Sequence, residues 1–318
     1  MKLRYIHIIS AVLLALLLGQ KGLAQAKKVN YASATDVKNI MSVLASDDMR
    51  GREAGSEEIK KAASYIEGIF KENHIKPYFS SYNDTLTNFQ PTTYNVVGYL
   101  EGTDPKLKNE LVVLGGHYDH IGIQKPIAGD SIANGANDDA SGSTAVIEMA
   151  KYFGSKHTNK RSMLFVLFTG EEKGLLGSKH LAKRLKEENA NLYCMVNFEM
   201  IGVPMTRDYL LYITGYNESN MAKKMNEYSG GNTIGFLETA KQYNLFKRSD
   251  NYSFYKEMGV PSQTVCTFDF TNFDFYHHVD DELDKMDFNH MSNVVNTMIP
   301  VIEKIVTTPT QEIKINQE

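Results

Sequence analysis

A chain of 318 residues that is 42% hydrophobic and 23% charged, with 23 Gly and 8 Pro, has the balance of a globular protein with a sizeable core, which excludes disordered, collagenous and disulfide-stapled miniature chains. Its 34 basic residues against 38 acidic ones leave no basic patch for nucleic acid. The only cysteines, Cys194 and Cys266, form no C-x-x-C pair, so any zinc bound here is held by His and carboxylate.

Lys2 and Arg4 precede an apolar run from Ile8 to Leu18, and Gly22-Leu23-Ala24-Gln25-Ala26 follows, which is the order of regions in a secretory signal peptide. The run is too short to span a bilayer, which takes about 20 residues. Residues 1–26 are therefore expected to be removed, leaving an exported chain, periplasmic or extracellular, without a membrane anchor. Without Lys2, Arg4 and Lys21 the balance becomes 31 basic against 38 acidic residues.

Residues 33–75 read as helical, with Ser56 as N-cap before Glu57-Glu58 and Ile59, Ala62, Ala63, Ile66 and Ile69-Phe70 at helix spacing. A β-branched run from Tyr94 to Leu100 ends at the turn signal Gly102-Thr103-Asp104-Pro105. Further apolar strands are expected at 111–114, 162–168 and 192–198, with helices at about 141–153 and 178–188 between them. The pattern continues through 209–214, a helix around 219–229, a strand over 259–265 and a closing helix over 288–306. Short, almost wholly apolar runs alternating with amphipathic helices are what parallel strands buried on both faces require. The expected architecture is a single α/β domain over 27–306, with a mostly parallel central sheet and helices on both faces. A polar tail, 307–318, follows. Cys194 and Cys266 can join after export only if their strands are neighbours.

In open α/β sheets the ligand crevice lies beyond the carboxyl ends of the strands. Three successive strand exits carry ligand chemistry: Gly115-Gly116-His117-Tyr118-Asp119, Thr169-Gly170-Glu171-Glu172 and Glu199-Met200-Ile201-Gly202. His117 and Asp119 share one face of an extended chain, so Asp119 can accept the second ring N–H of a metal-bound His117. Small residues flank Asp138-Asp139 before a helix, which lets the backbone approach an ion closely, and a short carboxylate in such a loop can bridge two cations. The neighbours Glu171 and Glu172 diverge in direction, so that one can ligate while the other serves as general base. If Asp138, Glu171, Glu172 and Glu199 converge, each like-charge pair about 4 Å apart costs around 4 kcal/mol at an effective dielectric of 20, which calls for cations. Of the adjacent His277 and His278, one is the ligand and the other lines the rim; the residues themselves leave open which. His120 reads as rim or core.

Together, His117-x-Asp119, Asp138-Asp139-Ala140-Ser141-Gly142, Glu171-Glu172-Lys173-Gly174-Leu175-Leu176-Gly177-Ser178, Asn197-Phe198-Glu199-Met200-Ile201-Gly202 and Tyr276-His277 resemble metallopeptidase family 28, the co-catalytic zinc exopeptidases. The resemblance covers nearly the whole mature chain, starting at Met49-Arg50-Gly51-Arg52-Glu53-Ala54-Gly55-Ser56. It implies a zinc exopeptidase fold, a peptide substrate cut at its amino-terminal bond, and two zinc ions bridged by Asp138. Glu172 and His277 would complete one zinc site, and His117 and Glu199 the other. By the same resemblance Glu171 is the general base, Tyr276 hydrogen-bonds the developing oxyanion, Asp119 and Asp139 stand behind the ligands, and the peptide bond after Asp138 is cis. The family's common pattern has Asp where this chain has Glu199, and one extra methylene still reaches a metal. The stretch from Pro77 to Leu111 is too short for the protease-associated insert of some relatives, so substrate capture falls to loops such as 121–134. Asp250 and Asn251 occupy the place of a Ser-Asp-His segment near the substrate. A glutaminyl cyclase of the same fold keeps one zinc, but such cyclases carry Trp beside the final His, and this chain has Tyr276 there and no Trp. A dipeptidase, a carboxypeptidase and a non-catalytic binding protein are the remaining readings. The last would normally have lost a ligand or the base, and every such position is filled here.

Overall fold

The computed structural model describes residues 30–317, so the signal-peptide segment lies outside the described residues. Elements follow in the order α1 (Ala34–Leu44), α2 (Glu57–Glu72), β1 (Lys76–Pro77), β2 (Asn83–Thr85), β3 (Tyr94–Leu100), β4 (Leu111–His117), β5 (Gly122–Ile127), β6 (Asp130–Ala133) and α3 (Gly142–Lys156). Then come β7 (Ser162–Phe168), α4 (Leu176–Glu187), β8 (Leu192–Glu199), β9 (Leu211–Ile213), α5 (Met221–Ser229), β10 (Ile234–Gly235), α6 (Glu238–Gln242), α7 (Asn251–Met258), β11 (Ser262–Cys266) and α8 (Phe288–Thr307). The main sheet has the order β1-β3-β7-β4-β8-β11-β9-β10, with β2 paired to β3. At its centre β4 runs parallel to β7 and β8, and β8 parallel to β11, whereas β3 and β9 join antiparallel. The sheet is thus mostly parallel, as the apolar runs predict.

Alternation along the central strands divides the core in two. Val112, Leu114, Met163, Phe165 and Val196 pack beneath α1, α2, α3 and α8, while Val113, Leu164, Val166 and Met195 face Leu181 and Leu185 of α4 and Phe254 of α7. Each fully buried Leu or Phe side chain contributes about 1.5–3 kcal/mol relative to exposure, so strands apolar on both faces have no stable place at a wet surface. Among the described residues no helix is long and apolar enough to cross a membrane.

The structure departs from the sequence reading in several places. The region 33–75 is two helices: Ser33 and Asp36 form a capping box on α1, and Ser56 accepts the Ile59 N–H of α2 at 3.1 Å. Between them Arg50, Gly51 and Arg52 take left-handed backbone at φ 43°, 71° and 46°, and the Arg52 side chain is fully buried. Residues 122–133 form the β5–β6 hairpin rather than an open loop, and α7 stands where no helix was expected. The tail is docked rather than solvated: Ile313 is buried, its N–H donates to the Tyr193 hydroxyl at 2.8 Å, and the Lys314 N–H donates to Asn220 Oδ1 at 2.7 Å. Cys194 and Cys266 lie on adjacent strands, but the register sets Cys266 opposite Glu199, and both thiols are buried and free.

Helix α3 begins hard against the end of β8. A Cβ on Gly142 would lie 2.3 Å from the Phe198 carbonyl oxygen and 2.5 Å from Asp139 Oδ1. Gly142→Ala is therefore expected to lower the unfolding free energy by about 1–3 kcal/mol. Urea unfolding of the two proteins measures this, and an unchanged midpoint would contradict the close approach.

Candidate metal centre

Because β4, β7 and β8 are neighbours and parallel, their carboxyl ends lie side by side. His117 closes β4 opposite Phe168 of β7, and Glu199 closes β8. Glu171 and Glu172 follow β7 through Gly170, whose φ of 66° turns the chain toward the site. Asp138 arrives on the turn that leads into α3, and Tyr276-His277 on the loop after β11, which register sets beside Glu199.

Asp138 is the hub. Its Oδ1 stands 3.1 Å from His117 Nε2, and its Oδ2 stands 3.3 Å from His277 Nε2. Glu172 Oε2 lies 3.0 Å from the same His277 nitrogen. Glu171, Glu199 and Tyr276 line the cavity that contains Asp138, Glu172 and His277. The nine residues singled out in the sequence therefore meet at one place, with Asp119 and Asp139 behind the others. The peptide bond between Asp138 and Asp139 is cis. Asp139 accepts backbone N–H groups from His117 at 3.2 Å, Gly142 at 3.0 Å and Met200 at 2.9 Å, which binds β4, α3 and β8 together. Asp119 differs in detail from the expectation. His117 Nδ1 meets its main-chain carbonyl at 3.1 Å, while the carboxylate is 3.7 Å away and accepts the Glu171 N–H at 3.2 Å. The strand ends at His117, so the two-residue parity no longer governs where Asp119 points.

The charges are crowded and dry. Burial opposes ionisation of Asp138, but contact with His117 and His277 outweighs it and holds the carboxyl far below its usual range. Burial also disfavours the charged form of His277, yet Asp138 and Glu172 raise it to about 10. Burial raises Glu199 to about 7 against the pull of His117, with Asp138 and Asp250 adding to the rise. Burial likewise lifts Glu171 well above the carboxylate range, helped by Glu199 and Asp250. Positive charge is what this cluster lacks, and imidazole plus carboxylate donors around 3 Å apart suit a small divalent cation such as zinc.

Several residues support the site without having been assigned a ligand or catalytic role from the sequence. Asp281 accepts the N–H groups of Asn137 at 2.7 Å and Asp138 at 3.0 Å, and so fixes the hub's backbone. Ser249, held by Asn197 Nδ2 at 2.9 Å, donates to Glu199. Asp250, expected near substrate, is fully buried with neither carboxylate oxygen hydrogen-bonded, and burial raises it to about 7. Of rim and core, the two places the sequence leaves open for His120, the structure gives the core, where the ring is fully buried beside Glu172. The guanidinium of Arg52, also fully buried, donates to the carbonyls of Tyr118 at 2.8 Å, Asn134 at 2.7 Å and Gly135 at 3.0 Å, and to that of Leu44. Burial lowers it to about 10, so it stays charged near neutral pH.

The cavity has a volume of about 430 Å³, and Met200, Leu245, Phe268 and Phe270 give it an apolar wall. The hairpin 122–133, expected to capture substrate, contributes nothing to that wall. Residues 245–249 and 264–270 do so instead.

Fold and site together define an α/β protein with a cluster of carboxylates and imidazoles, suited to a metal, at the carboxyl ends of its parallel strands. The chain belongs to peptidase family M28, whose sequence profile matches residues 95–302. It is 28% identical over 218 residues to a probable leucine aminopeptidase of Arthroderma benhamiae, which covers 65% of this chain and 55% of that one. It is 37% identical over 113 residues to a probable zinc metalloprotease of Pyrenophora teres, covering 36% of this chain and 23% of the relative. The chain thus spans from about a quarter to a little over half of the length of these curated relatives. The fold is similar to that of the aminopeptidase from Aneurinibacillus sp. strain AM-1, with a TM-score of 0.65 at 17% identity over 92% of this chain and 97% of that one. It is also similar to that of Porphyromonas gingivalis glutaminyl cyclase, with a TM-score of 0.67 at 15% identity over 87% and 100%.

Arg52→Met would leave four carbonyl groups without their buried donor. The expected loss is on the order of 3–5 kcal/mol of stability, and guanidinium unfolding of the variant measures it. A loss below 1 kcal/mol would mean that Arg52 does not anchor the loops.

Proposed function

We propose that this chain is an exported zinc aminopeptidase that hydrolyses the amino-terminal bond of peptides at a pair of zinc ions. The observation that carries the reading is the two-sided placement of buried Asp138, with Oδ1 toward His117 and Oδ2 toward His277. A carboxylate that bridges two cations needs one oxygen for each. His117 and Glu199 would hold one ion, Glu172 and His277 the other. Zinc bound there supplies a Lewis acid for the scissile carbonyl and lowers the pKa of water.

The chain's own residues do the rest. Glu171, raised in pKa by its buried and acidic surroundings, takes the proton of the attacking water and passes it to the leaving amine. The Tyr276 ring stacks on His277 at 4.0 Å between centroids, which holds its hydroxyl at the cavity edge to donate to the carbonyl oxygen as that oxygen gains charge. The acidic floor favours a free amino terminus, and the wall of Met200, Leu245, Phe268 and Phe270 favours an apolar first side chain. Family membership and the leucine aminopeptidase relative support a peptidase, and Tyr276 where cyclases of this fold carry Trp argues against cyclisation. Export is supported by the charged, apolar and small-residue regions of residues 1–26.

Zinc content of the purified chain, measured together with turnover of aminoacyl-p-nitroanilides and an N-terminal glutaminyl peptide, tests the reading. Near two zinc per chain and chelator-sensitive aniline release are expected. One zinc with a pyroglutamyl product would mean a cyclase, and no metal with no turnover a binding protein. Glu171→Gln should keep its zinc and its fold while kcat falls about 10²–10⁴-fold. Full activity in that variant would remove Glu171 from the role of base.

A further inference from the structure

His120 has no part in the five-ligand scheme, yet its surroundings demand an explanation. The ring is fully buried, and neither Nδ1 nor Nε2 makes a hydrogen bond. Buried polar nitrogen without a partner is costly and uncommon. Nδ1 lies 2.9 Å from Glu172 Oε1, an atom that is itself buried and without a hydrogen-bond partner, and 3.9 Å from Asp138 Oδ2. Ligand atoms of His120, Asp138 and Glu172 all fall within 4.8 Å of one another. His277 Nε2 faces the same two carboxylates, 3.0 Å from Glu172 Oε2 and 3.3 Å from Asp138 Oδ2.

These separations have the scale of a shared coordination sphere. Donors at the corners of a four-coordinate zinc, with bonds of about 2.0–2.2 Å, stand roughly 3.3–3.6 Å apart, and two imidazoles on one ion put their ring centroids about 5–6 Å apart. The His120 and His277 rings are 5.8 Å apart at 68°. Space for the imidazole is kept by Gly135, where a Cβ would lie 2.5 Å from His120 Cγ and 2.6 Å from Cδ2.

We propose that His120 Nδ1 is an additional metal ligand, completing with Asp138, Glu172 and His277 a closed set of four protein donors on the Glu172 side. This rests on the metal-centre reading given above. It makes the two sides unequal. The Glu172 side is filled by protein and holds its ion tightly, as structural zinc sites do, whereas the side of His117, Asp138 and Glu199 keeps an open position, as catalytic sites do. Water is then taken up on the His117 side.

The test uses metal-free chain reloaded with one equivalent of zinc and examined by X-ray absorption at the zinc edge, in wild type and His120→Asn. Two imidazoles per zinc are expected in wild type and one in the variant. Competition with a chromophoric chelator should find the tighter site weakened about 100-fold or more by the substitution, with the weaker site within about threefold. An unchanged imidazole count in His120→Asn overturns the proposal, even if affinity falls, because His120 would then only orient Glu172 by a hydrogen bond. Should the variant not fold, a single imidazole in one-zinc wild type overturns it by itself. A wild-type chain that binds no zinc would instead defeat the metal-centre reading.

Discussion

Like charge held in a dry place is the constraint on which the rest of this structure depends. Asp138, Glu171, Glu172 and Glu199 converge at the carboxyl ends of three parallel strands, with Asp250 buried nearby. Two like charges about 4 Å apart at an effective dielectric of 20 repel by around 4 kcal/mol, and burial together with neighbouring carboxylates raises Glu199 to about 7 and Glu171 well above the carboxylate range. The fold answers by sorting its carboxylates. Asp139, Asp281 and Asp119, turned away from the cavity, accept three, two and one backbone N–H groups, while buried Asp250 accepts none. Of those turned toward the cavity, Asp138 and Glu172 face imidazole nitrogens, and Glu199 accepts from the Ser249 hydroxyl. An anion given backbone donors needs no cation, whereas an anion given only histidines can share one with them.

The same sorting explains why loops far apart in sequence are held so firmly. Arg52 gathers the carbonyls of the β4 exit and of the 134–135 turn, and Asp281 grips the backbone on which Asp138 is mounted. Asp139 ties β4, α3 and β8 at their common edge. None of these residues faces the cavity wall, yet each fixes the position of one that does. A metal site is as well placed as the hydrogen bonds behind its ligands.

Fold alone does not choose the chemistry, since an aminopeptidase and a glutaminyl cyclase superpose on this chain about equally well. The choice lies in side chains around one cavity. In the proposed reading, Asp138 between His117 and His277, an acidic floor and Tyr276 stacked on His277 suit attack by water on a peptide bond, and the apolar wall from 245–249 and 264–270 would receive what precedes that bond. The unequal surroundings of the two Asp138 oxygens, one histidine on the His117 side and two on the other, add a difference that the five-ligand pattern does not contain.

What the sequence determined by itself follows from periodicity and from residue type. Strands buried on both faces must be apolar throughout, so 162–168 and 192–198 were legible, and the carboxylates at their exits marked the site because a buried charge there calls for a compensating partner. Ser56 was legible as a cap because its hydroxyl answers a donor three residues away. Tertiary structure decided everything that depends on partners far along the chain. Arg52 finds three of its four acceptors 66 to 83 residues away, Asp281 its donors 143 and 144 residues away, and the tail its anchor 120 residues back. His120 belongs with these, since beyond the last residue of β4 alternation no longer says where a side chain points. Periodicity records which face of an element is dry. It does not record which other segment arrives there, and at this site the segments that arrive decide whether a buried histidine is filler or a ligand.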